Sequence, residues 1–206
     1  MKQRRHPGAL RPGPRATRRR ILDGAGEVMS EVGLHRVTVR GILERSAISR
    51  GTFYQYFSGI DAVHTALYEH HVEGMTGAIA QAIALDGTPR ERLARGVAAY
   101  LDVQVRGGRL AAMLQAESIR PESPLRSRRE AALDNLVDRL DAVVFGLLGT
   151  RIDPYVYRAL LIGIEGLLIH VRGCGPITAE QKDRLQAVIY AMILSTLASR
   201  EHLPRA

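Results

Sequence analysis

An all-α fold of about nine helices is what this 206-residue chain predicts. Three observations carry it. Apolar residues recur at three- and four-residue steps in one segment after another, and no segment alternates at period two over a strand length. Ser, Thr or Asp residues stand at the head of these segments, several with Pro next or an acid or amide three residues on. Gly and Pro clusters close them.

Residues 1–15 are rich in Pro, Gly and Arg and are expected to be a disordered basic arm. From Thr17 the pattern turns helical through Ile21, Leu22, Ala25, Val28, Met29 and Val32, with Gly33 as the stop. Thr38 caps a short helix with Val39, Ile42 and Leu43 on its apolar face. After the turn Ser46-Ala47-Ile48, Ser49 caps a second short helix, Arg50 to Tyr56. Ser58 with Asp61 reads as a capping box opening a long helix to Leu85. Thr88-Pro89-Arg90-Glu91 starts the next, to Val105, and Gly107-Gly108 ends it. Helices then follow from Leu110 to Ile119, from Ser123-Pro124 to Leu148, and from Asp153-Pro154 to Arg172. Thr178 with Gln181 caps the last, which ends near Arg200. The domain division expected from this is 1–15 arm, 16–60 helix-turn-helix unit, and 61–206 a second helical domain.

Composition bounds the function. Hydrophobic residues make up 46%, enough for a packed core. The single Cys174 excludes a disulfide framework and a multi-cysteine zinc site, and suits the cytoplasm. It sits between glycines with no base identifiable near it, so it is read as non-catalytic. His70 and His71 are adjacent on a helix and cannot easily share a metal, so no metal and no cofactor is expected. No uninterrupted apolar run reaches the ~18 residues of a spanning helix, and no membrane partner is expected.

The net charge of +8 is unevenly placed. Residues 1–60 hold twelve Lys and Arg against four acids, while residues 61–206 hold seventeen of each. The first 22 residues carry eight basic side chains, Arg18 among them, and no acid. That places the whole surplus around residues 38–56, which have the layout of a helix-turn-helix and suit a polyanionic partner. The second helix offers Ser49, Arg50, Thr52, Gln55 and Tyr56 on one side for base edges or phosphates, with Phe53 and Phe57 as anchors on the other. Gly51 leaves the helix surface bare.

The stretch Thr38-Val39-Arg40-Gly41-Ile42, followed by Ile48-Ser49-Arg50-Gly51-Thr52-Phe53-Tyr54-Gln55-Tyr56-Phe57, resembles the DNA-binding signature of the tetracycline-repressor (TetR) family. The strong resemblance covers residues 17–65. It implies that Thr38, Ser49, Thr52, Tyr54 and Tyr56 touch DNA, mostly at phosphates, and that Arg50, Gly51 and Gln55 lie near base edges. Three positions depart from the family pattern. Ala47 replaces the turn glycine, Ile60 replaces a lysine near a phosphate, and Ser46 stands where a small apolar residue is common. Either Ala47 is left-handed, at a cost of about 1 kcal/mol, or the turn is built differently.

The resemblance implies a one-component repressor: a homodimer on a double-stranded palindromic operator, released by an unknown small-molecule effector. The expected effector site lies among the middle helices, with Leu67, His71, Met75, Tyr100, Gln104, Met113, Leu114, Glu117 and Tyr157 as its lining. Nothing there resembles a phosphate or sugar clamp, so a mainly apolar ligand is expected. The segments 154–172 and 178–199 are apolar almost all round and are expected to form the dimer seam, with Glu165 near a basic residue. Two other classes compete. An all-α enzyme would need a catalytic constellation that cannot be placed here. A protein-interaction module would leave the charge around the helix-turn-helix unexplained.

Overall fold

The computed structural model describes residues 13–149 and 151–198, the side chains of residues 147, 148 and 198 aside. Among them are nine α-helices: α1 (Pro14–Val32), α2 (Val39–Ser46), α3 (Arg50–Tyr56), α4 (Ile60–Ala84), α5 (Pro89–Arg106), α6 (Gly108–Ile119), α7 (Arg126–Leu148), α8 (Pro154–Gly173) and α9 (Ala179–Ala198). No strand occurs among the described residues. The chain forms two compact units, residues 1–63 and 64–206.

Most boundaries follow local chemistry. Thr38 accepts from the Gly41 N–H and Ser49 from that of Thr52, each satisfying an orphan donor of the first turn. Thr88 and Glu91 form both arms of a capping box, and Thr178 and Gln181 make the same reciprocal pair. Asp153 accepts from Tyr155 N–H at 2.8 Å.

Four starts differ from expectation, one of them that of α6, which begins at Gly108 rather than Leu110. α1 begins at Pro14, so the expected arm of residues 1–15 ends in helix. Pro14 occupies the first turn, where its missing N–H costs nothing and its fixed φ suits the helix. The rest of that arm, residues 1–12, lies outside the described residues. α4 begins at Ile60, with Val63 N–H on Gly59 C=O, so Ser58 falls just before the cap position. α7 begins at Arg126, because Ser123 turns its hydroxyl to Leu125 N–H and holds a separate turn.

In the N-terminal unit Ile21, Ala25, Met29, Ile42 and Phe53 are fully buried. α1 and α2 meet where Gly24 faces Ser46: a Cβ at Gly24 would lie 3.0 Å from Ser46 Cβ and from its backbone N. Gly24→Ala is therefore expected to force the two helices apart and cost about 1–3 kcal/mol, read as a lower melting temperature. Wild-type stability in that variant would contradict the close approach.

The C-terminal unit has two apolar clusters. Val97, Leu101, Ile164, Leu168, Leu185 and Ile189 join α5, α8 and α9. Val137, Val144, Ile152 and Tyr157 join α7 to α8. The charges of α8 point inward to partners. Glu165 pairs with Arg129, and Arg158 pairs with Glu130 and Asp134. By length and composition α8 is apolar enough to cross a membrane, with mean hydropathy 1.3 over a window of which 22% is buried. The sequence expectation missed this because it sought an uninterrupted run.

Candidate nucleic-acid interface and effector cluster

The α2–turn–α3 segment is held from three sides. Phe53 and Phe57 are buried with ring centroids 5.9 Å apart, so α3 is fixed by aromatic contact on its inner face. Ala47 adopts φ 50°, ψ 44°, the left-handed conformation that the family fills with glycine. The strain is offset locally. Ile48 N–H donates to Leu43 C=O at 3.2 Å, and Arg20 donates to Ser46 C=O at 2.9 Å, capping the end of α2. Ser46 is buried, and its hydroxyl donates back to Ile42 C=O, so a polar residue sits there satisfied. Arg20 thus has a structural partner that counting basic residues did not reveal.

The outward face of α3 carries Arg50, Gly51, Tyr54 and Gln55, all exposed, with Thr52 and Tyr56 half-buried beside them and Ser49 exposed at the cap. Tyr54 stands edge-on to Phe53 at 5.3 Å, which fixes its ring while the hydroxyl end reaches out. The Arg50 guanidinium lies 5.7 Å from the Tyr54 ring centroid, and that of Arg18 lies 5.5 Å from that of Phe57. Thr38 is exposed, and its cap uses an oxygen lone pair, leaving the hydroxyl proton to donate. The Ser49 and Thr52 hydroxyls share one bond at 2.8 Å, so one of their two protons remains. A Cβ on Gly51 would meet nothing within 4 Å, so this chain's own packing does not require glycine there.

Electrostatics separate two sets of arginines. Arg45 holds Glu31 through both guanidinium arms and Glu27 at 3.0 Å, and Arg40 holds Glu44. Arg18 and Arg50 have no carboxylate partner among the described residues. The surplus charge therefore falls at α3 and the adjoining turn of α1. Ile60, half-buried at the start of α4, offers no phosphate contact.

In the C-terminal unit, four of the expected effector residues come together. Gln104 is 2% exposed, its amide N–H reaches Met75 Sδ at 3.6 Å, and its side chain and that of Gln115 both act on the Tyr100 hydroxyl. His71 lies 3.4 Å from the position a Cβ on Gly107 would take. Sequence reasoning missed two members. Arg172 donates to Gln104 C=O at 2.5 Å, to Gln104 Oε1 at 2.9 Å and to Gln115 Oε1 at 3.1 Å. The available signal was the seven-residue recurrence of Arg158, Glu165 and Arg172 in an otherwise apolar segment, a pattern that needs inward partners.

The other expected lining residues are placed differently. Leu67 and Leu114 are buried, and Met113 is half-buried. Glu117 pairs with Arg120 at 3.3 Å. Tyr157 belongs to the α7–α8 cluster, where burial, then the Asp141 carboxylate, pushes its hydroxyl up to about 12.

Burial, then the Arg172 charge and then His70, holds His71 down to about 4, so it is neutral at pH 7. Unfolded, it takes a proton near pH 6.5 that the folded chain refuses. Its contribution is therefore complete above pH 6.5 and is lost as pH falls towards 4, by up to about 3 kcal/mol. His71→Leu is expected to flatten this acid limb in urea titrations at pH 7 and 4.5. An unchanged limb would refute the assignment.

A satisfied helix-turn-helix with a cationic, hydroxyl-rich outer face has the chemistry that phosphates and base edges of DNA call for. Residues 21–67 match the family described as "Bacterial regulatory proteins, tetR family". The likeness covers the helix-turn-helix segment, about a quarter of the chain. It is 38% identical over 79 residues to the HTH-type transcriptional repressor Rv1474c of Mycobacterium tuberculosis, covering 38% of this chain and 42% of that protein. It is 24% identical over 124 residues to the fatty acid metabolism regulator protein of Bacillus subtilis, covering 60% and 64%. These alignments thus span less than two thirds of either relative. A TetR-family regulator structure from Syntrophomonas wolfei superimposes with TM-score 0.74 at 17% identity, over 89% of this chain and 96% of that one. Bacillus halodurans FadR, described as a fatty acid degradation regulator, gives 0.70 at 19%, over 91% and 96%. These likenesses show the fold across nearly the whole chain.

Proposed function

We propose that the protein is a dimeric, cytoplasmic repressor that reads a palindromic operator through α3 and leaves it when a small, mainly apolar effector binds the C-terminal domain. Residues 16–60 serve as the DNA-binding domain and 61–206 as the effector and dimerisation domain. The outer face of α3 carries this reading. Thr38, Tyr54, Tyr56 and the linked Ser49–Thr52 hydroxyl pair, through its one remaining proton, donate to phosphates, Arg50 and Gln55 reach base edges past the bare Gly51, and Arg18 adds charge. The basic residues before Pro14 add counterion release. Effector binding alters the separation of the two recognition helices, which must match half-sites ~34–36 Å apart or a multiple of that.

Selection of bound duplexes from a random pool, with nonspecific competitor present, tests this. A two-fold-symmetric consensus is expected. Tyr54→Phe and Tyr56→Phe should weaken binding to all sequences alike by about 1 kcal/mol, while Arg50→Ala and Gln55→Ala should also broaden the consensus. Unchanged binding in all four variants would overturn the reading.

A further inference from the structure

We propose that the effector carries one carboxylate on its apolar body, and that Arg172 is the anchor for that carboxylate. The inference rests on the reading of the C-terminal unit as an effector domain and names the ligand class of that same domain.

Four carboxylates of the helices around Arg172 are taken by other cations, Glu69 by Arg128, Asp102 by Lys182, Glu117 by Arg120 and Glu165 by Arg129, and Glu73 of α4 is exposed to solvent. Arg172, half-buried near the end of α8, has no carboxylate among the described residues. Its donors go to three neutral oxygens, two of them side-chain amide oxygens from Gln104 and Gln115. A guanidinium fork fits the two oxygens of a carboxylate, and two amide oxygens from different helices fill that place without supplying charge. A cation taken from water and left without a counter-ion is costly. The cost shows in its neighbours. Burial holds Arg172 below its ordinary value, and its charge helps keep His71 neutral. A bound carboxylate supplies the missing charge, and the amides of Gln104 and Gln115 can turn their N–H groups towards the same anion. The Tyr100 hydroxyl, near enough to both amides to feel them, is a further polar group at the same place.

The surroundings specify the rest of the ligand. Gln104 directs its buried amide N–H at a thioether, the weak acceptor of Met75, so a better acceptor there would be gained. Residues 69–84 of α4 include no fully buried side chain, although Val72, Met75, Ile79 and Ile83 are apolar. This half of α4 has apolar surface that its neighbours leave partly uncovered, next to the polar group. An anionic head at Arg172 with an apolar body along α4 satisfies both features.

The test uses the full-length protein and paired probes that share a body and differ only in the head. Straight-chain carboxylates from hexanoate to palmitate, benzoate and 1-naphthoate are each compared with the corresponding alcohol by calorimetric titration and thermal shift. At least one carboxylate is expected to bind the wild type about tenfold or more tightly than its alcohol. Arg172→Met is expected to abolish that preference while still binding the alcohol, and Arg172→Lys to keep part of it. No carboxylate favoured over its alcohol by the wild type overturns the proposal, as does a preference that survives Arg172→Met. The wild-type comparison stands even if a variant fails to fold. Operator selection on the same preparation separates the two readings. A selected consensus without carboxylate preference defeats only the anchor, and carboxylate preference without any selected DNA defeats the regulator reading while leaving the anchor.

Discussion

Arg129→Met is expected to destabilise the C-terminal unit by about 3–5 kcal/mol, because it strands a buried carboxylate. Arg129 is 8% exposed. Its Nη2 lies 2.5 Å from Glu165 Oε2, its Nε lies 3.0 and 3.3 Å from the two Glu165 oxygens, and its Nη1 lies 3.0 Å from Glu130. The Glu165 carboxylate holds the Arg129 guanidinium above its ordinary value, so the cation is well compensated where it sits. Without it, the Glu165 side chain, only 13% exposed, has lost its cation. The double variant Arg129→Met/Glu165→Leu removes both charges and is expected to recover most of the loss, since apolar groups of similar volume often replace a buried pair at little cost. Urea unfolding of the two singles and the double gives the coupling directly. A double variant as unstable as the singles would show that shape, not charge, governs the site.

This pair also marks what the sequence could and could not reveal. The caps at Thr38, Ser49, Thr88, Asp153 and Thr178 were legible, because each is settled within three residues of itself. The helix-turn-helix was legible for the same reason, although whether Ala47 would be left-handed or the turn built differently was not, and the backbone takes the left-handed form. Pro14 was misread because proline stops a helix in its interior and starts one at its first turn, and position alone decides which. The contacts of Arg129 with Glu165 and of Arg172 with Gln104 join residues 36 and 68 positions apart. No periodicity reports such partners. The sequence showed only that α8 has charges spaced by seven in an apolar helix, and therefore that partners must exist. The effector candidates divide the same way. His71, Met75, Tyr100 and Gln104 share a neighbourhood that helical faces could suggest, whereas Tyr157 packs into a different cluster because α8 meets α7 at that end.

Leu194→Arg is expected to split the dimer and collapse operator affinity while leaving α1 to α3 untouched. The last two helices each keep an apolar face that their own chain does not cover. On α8, Tyr155, Ala159, Ile162, Gly163 and Gly166 are exposed at helical spacing, with Ile162 44% exposed. On α9, Ala187, Val188 and Ala191 are exposed and Leu194 is half-buried beside them. The opposite faces are occupied by the shared core of Ile164, Leu168, Leu185 and Ile189. All three charges of the α8 stripe turn to partners within the chain, so the uncovered face of α8 is left without a fixed charge of its own to repel a second copy. In the dimer proposed above, two such faces from each protomer would make a four-helix seam burying roughly a thousand Å² or more, the range of stable homodimers. An arginine at 194 would be desolvated there without a counter-ion, at a cost of several kcal/mol. Ile193 is a poorer test position, since it packs against the intrachain core and its replacement would unfold the unit as well. A single bound half-site holds few phosphates, so a monomer retains only weak, salt-sensitive binding. Sedimentation at micromolar concentration should show a wild-type dimer and a Leu194→Arg monomer with an unchanged helical spectrum. A wild type that sediments as a monomer and still binds the operator fully would refute the seam.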